Sequence, residues 1–196
     1  RRGRTLRAQL SPAVIEQAQG LTAKRRRLVP NQYCMPASDL HLTLFTVISC
    51  SKAFQYDPAM KDAYVELLTH ALQSCDPIRI AFKGITASPS CIMLRGYPQD
   101  DGLRLLRKRL RAAFKESAIT STVDHRYVLT TAHATLMRFV NPSDEIAAFT
   151  QFIRQCRDCF DEVQVVDQIE LVLNDWCHQQ QNTKLIRSFK LGHEAA

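Results

Sequence analysis

The chain has 196 residues, of which 45% are hydrophobic and 23% charged, with a formal net charge of +7. That balance belongs to an ordinary folded domain and excludes a largely disordered chain. No apolar run approaches the roughly 20 residues that span a bilayer, and the opening RRGRTLRAQL has no apolar signal core, so a cytoplasmic protein without a membrane partner is expected.

The positive excess is local. Residues 1–27 contain Arg1, Arg2, Arg4, Arg7, Lys24, Arg25, Arg26 and Arg27 against Glu16 alone, and the rest of the chain is neutral. A basic segment of this kind favours anionic partners, but it is also what a solvated charge run looks like.

In chain order, residues 5–10 (TLRAQL) predict a first strand. Ser11 as N-cap and Pro12 at the first helical position then open a helix with apolar residues at 14, 15, 18 and 21. A turn-rich YCMPASD leads into a strand over 40–48, LHLTLFTVI, and residues 57–74 repeat the helix-opening pattern. Residues 78–85 and 91–97 read as a hairpin. They are followed by a helix over 101–115 with Leu103, Leu106, Leu110 and Phe114 on one face and most of its basic residues elsewhere. A strand over 127–140, a helix from about 141 to 156, and closing strands over 165–175 and 184–192 complete an α+β chain. It reads as one domain, 1–196, of two intertwined halves that meet near 75–78.

Seven cysteines, an odd and scattered number, do not look like a disulfide framework. Cys156 and Cys159 have redox or zinc spacing, but no second pair completes a metal site. Their place in a predicted amphipathic helix favours packing.

What repeats is a tetrapeptide. HLTL begins at His41 and HATL at His133, and these are the only two of six histidines with Ser or Thr two residues later. Side chains i and i+2 of a strand share a face, so His41 pairs with Thr43 and His133 with Thr135, while Leu42, Leu44, Ala134 and Leu136 face the core. An imidazole beside a hydroxyl supplies a group that exchanges a proton near neutral pH and an adaptable hydrogen-bond donor. His70, His125, His178 and His193 lack this context and take a structural reading. A plain alternative is an α+β domain in which His41 and His133 are both core residues.

The pair HLTL and HATL resembles the two H-x-[ST]-x motifs of the two-histidine (2H) phosphoesterase superfamily, which includes RNA 2',5'-ligase-like proteins and cyclic nucleotide phosphodiesterases. Element order is similar from about Thr5 to Leu191. The resemblance implies a bilobal fold, with two pseudo-twofold-related lobes of antiparallel sheet and outer helices around a central cleft floored by His41, Thr43, His133 and Thr135. HATLMR also resembles the family's second motif in its arginine, Arg138, whose counterpart after the first motif is Thr46. Alternation puts Arg138 on the face opposite Thr135 unless the strand bulges.

The resemblance implies a metal-independent phosphodiesterase that hydrolyses 2',3'-cyclic phosphates of RNA ends or nucleotides. His41 and His133 would be acid and base in an order left open, and Thr43 and Thr135 would hold the phosphate. Two histidines and two threonines without a carboxylate make a poor divalent-metal set, so neither metal nor cofactor is expected. Arg138 and Trp176 are candidate substrate contacts; Tyr33, Phe45 and Tyr97 are weaker ones. Alternatives are a phosphodiesterase or ligase acting on 2'-5' RNA linkages, and a non-catalytic RNA- or nucleotide-binding module. A monomer is expected.

Overall fold

The computed structural model describes residues 1–23, 31–141 and 146–192. β1 (Arg2–Gln9) is buried along most of its length because it is paired on both sides, by β3 (His41–Ser51) and by β8 (Gln168–Asp175). With β9 (Lys184–Lys190) these form an antiparallel sheet in the order β3-β1-β8-β9. A second antiparallel sheet takes β2 (Tyr33–Cys34), β6 (Ala132–Arg138), β5 (Cys91–Pro98), β4 (Ile78–Ser88) and β7 (Asp161–Val166), in that order. Each sheet thus includes strands from both halves of the chain.

Ser11 caps α1 (Pro12–Ala23): its hydroxyl accepts the Val14 N–H at 3.3 Å and its carbonyl the Ile15 N–H at 2.9 Å. α2 (Lys61–Leu72) starts later than its sequence pattern. Residues 57–60 form a turn in which the Asp57 carboxylate accepts the Ala59 N–H at 2.9 Å. α3 (Gly102–Glu116) buries Leu103, Leu106, Leu110 and Phe114 as their spacing predicts, packing on α2 and on strands of both sheets. α4 (Ile146–Gln155) packs on β4. Residues 142–145 at its predicted start, the basic residues Lys24 to Arg27, and His193 lie outside the described residues.

One hydrophobic cluster runs through both sheets, with Leu6, Leu42, Leu44, Leu68, Ile78, Phe82, Leu94 and Leu110 fully enclosed. Burying a side chain of this size is worth about 1.5–3 kcal/mol, so the shared core holds the lobes together. Among the described residues no helix is long and apolar enough to cross a membrane.

Three sequence expectations change. Residues 127–131 are not strand: β6 starts at Ala132, opposite Gly96, near the end of β5. The carbonyls of Leu129 and Thr131 go instead to Arg111 and Arg107 of α3. The predicted strand over 165–175 is two strands, because the chain passes from one sheet to the other at Asp167. β7 was missed because its pattern is inverted. Val163 and Val165 face solvent, while buried Gln164 bonds the Gln9 carbonyl and the Ser11 N–H. Finally, α4 ends at Gln155, so Cys156 and Cys159 sit in the turn after the helix, one buried and one exposed. Among the described residues no disulfide forms.

Candidate active site

β3 and β6 pack against each other where the two sheets meet. Leu42, Leu44, Ala134 and Leu136 are buried on their reverse sides. His41, Thr43, His133 and Thr135 all line one cleft of about 610 Å³.

Both strands are bulged at the same point of the tetrapeptide. Arg7 of β1 lies opposite Thr43 and Leu6 opposite Phe45, which makes Leu44 an extra residue in β3. Met93 of β5 lies opposite Thr135 and Ile92 opposite Met137, which makes Leu136 the extra residue in β6. An extra residue reverses the facing of everything after it. Leu136 and Met137 are therefore buried in succession, and Arg138 joins His133 and Thr135 on the cleft face; simple alternation had placed it opposite. Thr46, at the matching position of β3, also lines the cleft.

The Leu44 bulge is held by a residue that sequence reasoning missed. Arg107 is 3% exposed; its Nε donates to the Leu44 carbonyl at 2.8 Å and its Nη2 to the Thr131 carbonyl at 2.8 Å. One guanidinium thus ties the first motif strand to the approach of the second. Burial, with Arg111 nearby, pulls its pKa down to about 10. The signal was present: residues 103, 107, 110 and 114 follow the apolar spacing of α3, and Arg107 stands on that face.

The two imidazoles differ in setting. His41 is buried, and its Nδ1 donates to the Asp39 carbonyl at 2.7 Å. Desolvation pulls its pKa down to about 4; the Asp39 bond opposes this, and Arg7 and Arg138 add to it. His133 is only partly buried, with Nδ1 3.2 Å from the Thr131 hydroxyl. Its pKa is also lowered, by desolvation first and then by Arg107 and Arg138.

The structural reading of His178 needs correction. Its ring lines the cleft and stacks on His41, with centroids 4.0 Å apart and planes 26° from parallel. It lies past the end of β8, where no strand or helix pattern points to the cleft.

The cleft rim is basic. Arg111 is paired with Asp124 at 2.6 Å, whereas Arg126 and Arg138, among the described residues, have no carboxylate partner. Both guanidiniums lie against the ring of Trp176, at 4.9 and 5.5 Å, and all three residues line the cleft. Of the weaker aromatic candidates, Phe45 is a buried part of the cleft wall and Tyr33 donates to the Asp39 carboxylate at 2.9 Å. Tyr97 is exposed beside Arg95 and does not line the cleft. Tyr127, 63% exposed, does line it. Among the described residues no group of three or more His, Cys, Asp or Glu side chains could hold a metal ion.

No protein-family model matches the chain, and no curated protein matches it. Solved structures do. TT0787 of Thermus thermophilus is 17% identical, with a TM-score of 0.67 over 96% of this chain and 97% of that one. LigT of Escherichia coli complexed with 3'-AMP is 16% identical, with a TM-score of 0.64 over 98% and 99%. The same protein complexed with NADP+ is 19% identical, with a TM-score of 0.64 over 98% of each chain. The chain has the bilobal α+β fold of the 2H phosphoesterases that its tetrapeptides resemble.

Proposed function

We propose that the chain is a metal-independent phosphodiesterase that hydrolyses 2',3'-cyclic phosphates, with RNA ends as its substrates. The observation that carries this reading is the convergence of His41, Thr43, His133 and Thr135 on one cleft. A water attacks phosphorus as one neutral imidazole takes its proton. The bond from phosphorus to one ribose oxygen breaks, and the other imidazole, protonated, gives that oxygen a proton. The product is a phosphomonoester beside a free hydroxyl. Each proton transfer contributes about 10²- to 10⁴-fold in rate. Thr43 and Thr135 donate to the non-bridging oxygens, interactions that strengthen as negative charge develops, and Arg138 adds a positive charge that holds the phosphate. None of these five groups is a carboxylate, and two imidazoles in opposite protonation states perform both proton transfers without a metal-bound water.

A second groove supports an RNA end over a free nucleotide. It has a volume of about 650 Å³ and shares Ile48, Cys50, Thr122, Arg126 and Trp176 with the cleft. Beyond that shared wall its accessible lining includes Arg1, Phe54 and His125. Guanidiniums and aromatic rings along one path suit the phosphates and bases of a single strand. The 3'-AMP, ATP and phosphate complexes of LigT are those of a protein of the same fold, and they too favour a nucleotide phosphate as ligand. Free thiols at all seven cysteines fit action in the cytoplasm.

Product analysis tests the reading. With EDTA present throughout, wild-type protein is expected to open a 2',3'-cyclic nucleotide and, faster, a cyclic-phosphate RNA, and to lose both activities in His41→Ala and His133→Ala. Cleavage or joining of a 2'-5' oligomer instead would transfer the same histidines to the alternative chemistry. RNA binding that persists in both variants, with no product from wild type, would identify a binding module.

A further inference from the structure

The two tetrapeptides resemble each other too closely to say which histidine is base and which acid, but their surroundings break the symmetry. We propose that His178, stacked on His41, is a positioning residue that keeps His41 as the neutral general base and so leaves the acid role to His133. This rests on the phosphodiesterase reading above.

His178 is delivered by a turn that favours its inward placement. After β8 the Asp175 carboxylate accepts the N–H groups of Cys177 at 2.9 Å and Gln179 at 3.1 Å, and the Asn182 side chain at 2.8 Å. His178 itself has φ of 54°, a left-handed conformation that side chains other than glycine seldom adopt. The turn holds that conformation and the ring ends up 7% exposed, against His41.

The hydrogen bonds fix the proton positions. Carbonyl oxygens only accept, so the Asn174 amide nitrogen, 2.9 Å from the Asp175 carbonyl, is a donor. The same nitrogen is 2.9 Å from Nε2 of His178, which therefore accepts, leaving the ring neutral with its hydrogen on Nδ1. That Nδ1 is buried and, among the described residues, has no hydrogen-bond partner. His41 must likewise carry hydrogen on Nδ1, because the Asp39 carbonyl accepts from it, so neutral His41 has its lone pair on Nε2. A base needs that tautomer and a fixed ring plane, and the stacked ring of His178 supplies the plane.

Protonating either ring would place positive charge against the other ring and toward further cations. Around the stack, β1 contributes Arg7, β6 contributes Arg138, and the Asp39 turn contributes a carbonyl and a carboxylate. Arg7 is held by Glu170 at 3.0 Å, while the Asp39 carboxylate is occupied by Tyr33, Ser38 and the Gln180 N–H. Desolvation and the neighbouring His41, Arg7 and Arg138 keep His178 well below the usual histidine range. His133 is lowered too, by desolvation and by Arg107 and Arg138, but it is only partly buried and its partner is different: the Thr131 hydroxyl donates or accepts, so the ring tolerates a second proton.

The test pairs kinetics with imidazole NMR on His178→Ala and His178→Phe. In the alanine variant kcat/KM is expected to fall about tenfold, as for a displaced catalytic group. The acid limb of its pH profile should move from about 4 toward 6.5. Phenylalanine restores the stacked ring without a second basic group; kcat/KM should return to within about threefold of wild type, with the acid limb still low. If alanine prevents folding, His178→Gln, which keeps a polar partner for Asn174 but lacks the ring, carries the same expectation. Unchanged pH profiles in the folded ringless variant would overturn the proposal. NMR titration of His41 reads the same shift without substrate. A wild type inactive on every cyclic phosphate, but with a His41 titration that responds to loss of the His178 ring, would remove the proposed activity and leave the positioning contact standing; no response would remove the contact.

Discussion

β3 and β6 contain the same tetrapeptide pattern, bulge at the same leucine and send the same two side chains into the cleft. What surrounds them differs. His41 is enclosed, anchored to a carbonyl and covered by a second imidazole, while His133 is partly open and bonded to a hydroxyl. The residues of a motif set which atoms are available for proton transfer. The packing around them sets where each proton sits, and two copies of one motif can thereby divide a reaction between them.

The largest expected effect tests whether both copies are needed. His41→Ala and His133→Ala should each lower kcat on a cyclic phosphate by about 10²- to 10⁴-fold. The double variant should fall less than the product of the two losses, because the pair acts as a unit. Circular dichroism checks that each variant folds. If only one variant loses activity, the two strands do not share the work.

A second effect separates the strands by stability. His41 has a folded-state pKa of about 4 against 6.5 for an ordinary histidine, so below 6.5 the unfolded chain binds the proton more readily. Its contribution is present in full above pH 6.5, declines as the pH falls toward 4, and levels off below that. The span corresponds to roughly 3 kcal/mol. Urea denaturation across this range should show the decline, and His41→Phe should flatten it more than His133→Phe does. Equal flattening would mean that the two sites are alike in solution.

Arg107 bears on what the strands have in common. Methionine at this position keeps much of the side chain's length and volume, but it leaves the Leu44 and Thr131 carbonyls without their donor. Of the two, the Leu44 carbonyl is buried and Thr131 is exposed; one buried acceptor left unpaired costs about 1–3 kcal/mol, and Arg107→Met should lose about that much in urea denaturation while also lowering kcat. A variant that is both stable and fully active would show that the bulge holds its shape unaided.

The sequence made the parts that follow a period legible. Ser11 and Pro12 marked a helix start, the leucines of α3 marked its buried face, and alternation placed Leu42 and Ala134 behind the histidines. The parts that break a period were not legible. β7 turns its valines outward and a glutamine inward, the extra residues Leu44 and Leu136 are ordinary leucines in sequence, and His178 reaches the site through a left-handed turn. Three of these departures are held by long-range partners: Gln9 and Ser11 for Gln164, Arg107 for Leu44, and His41 for His178. Such pairings join positions more than a hundred residues apart in two of the three cases, and no local pattern encodes them.

The smallest expected effect isolates the place, within residues 41–46 and 133–138, where the equivalent positions differ in charge. Thr46 and Arg138 each follow the bulge of their strand and each line the cleft, but only Arg138 has a cation to offer. Its Nε is buried and has no partner among the described residues, and its Nη2 reaches the Trp176 carbonyl at 3.3 Å, so the guanidinium is oriented and still has donor capacity for an anion. A hydrogen bond to a charged group is worth about 1.5–3 kcal/mol, and partial exposure puts this one at the low end. Arg138→Ala should therefore raise KM for a cyclic phosphate about tenfold, whereas Thr46→Ala should change it less than about twofold. Steady-state kinetics on the two variants decides the matter. If Arg138→Ala lowers kcat and leaves KM alone, the arginine acts only in the transition state; equal KM changes in both variants would mean that the phosphate lies midway between the strands.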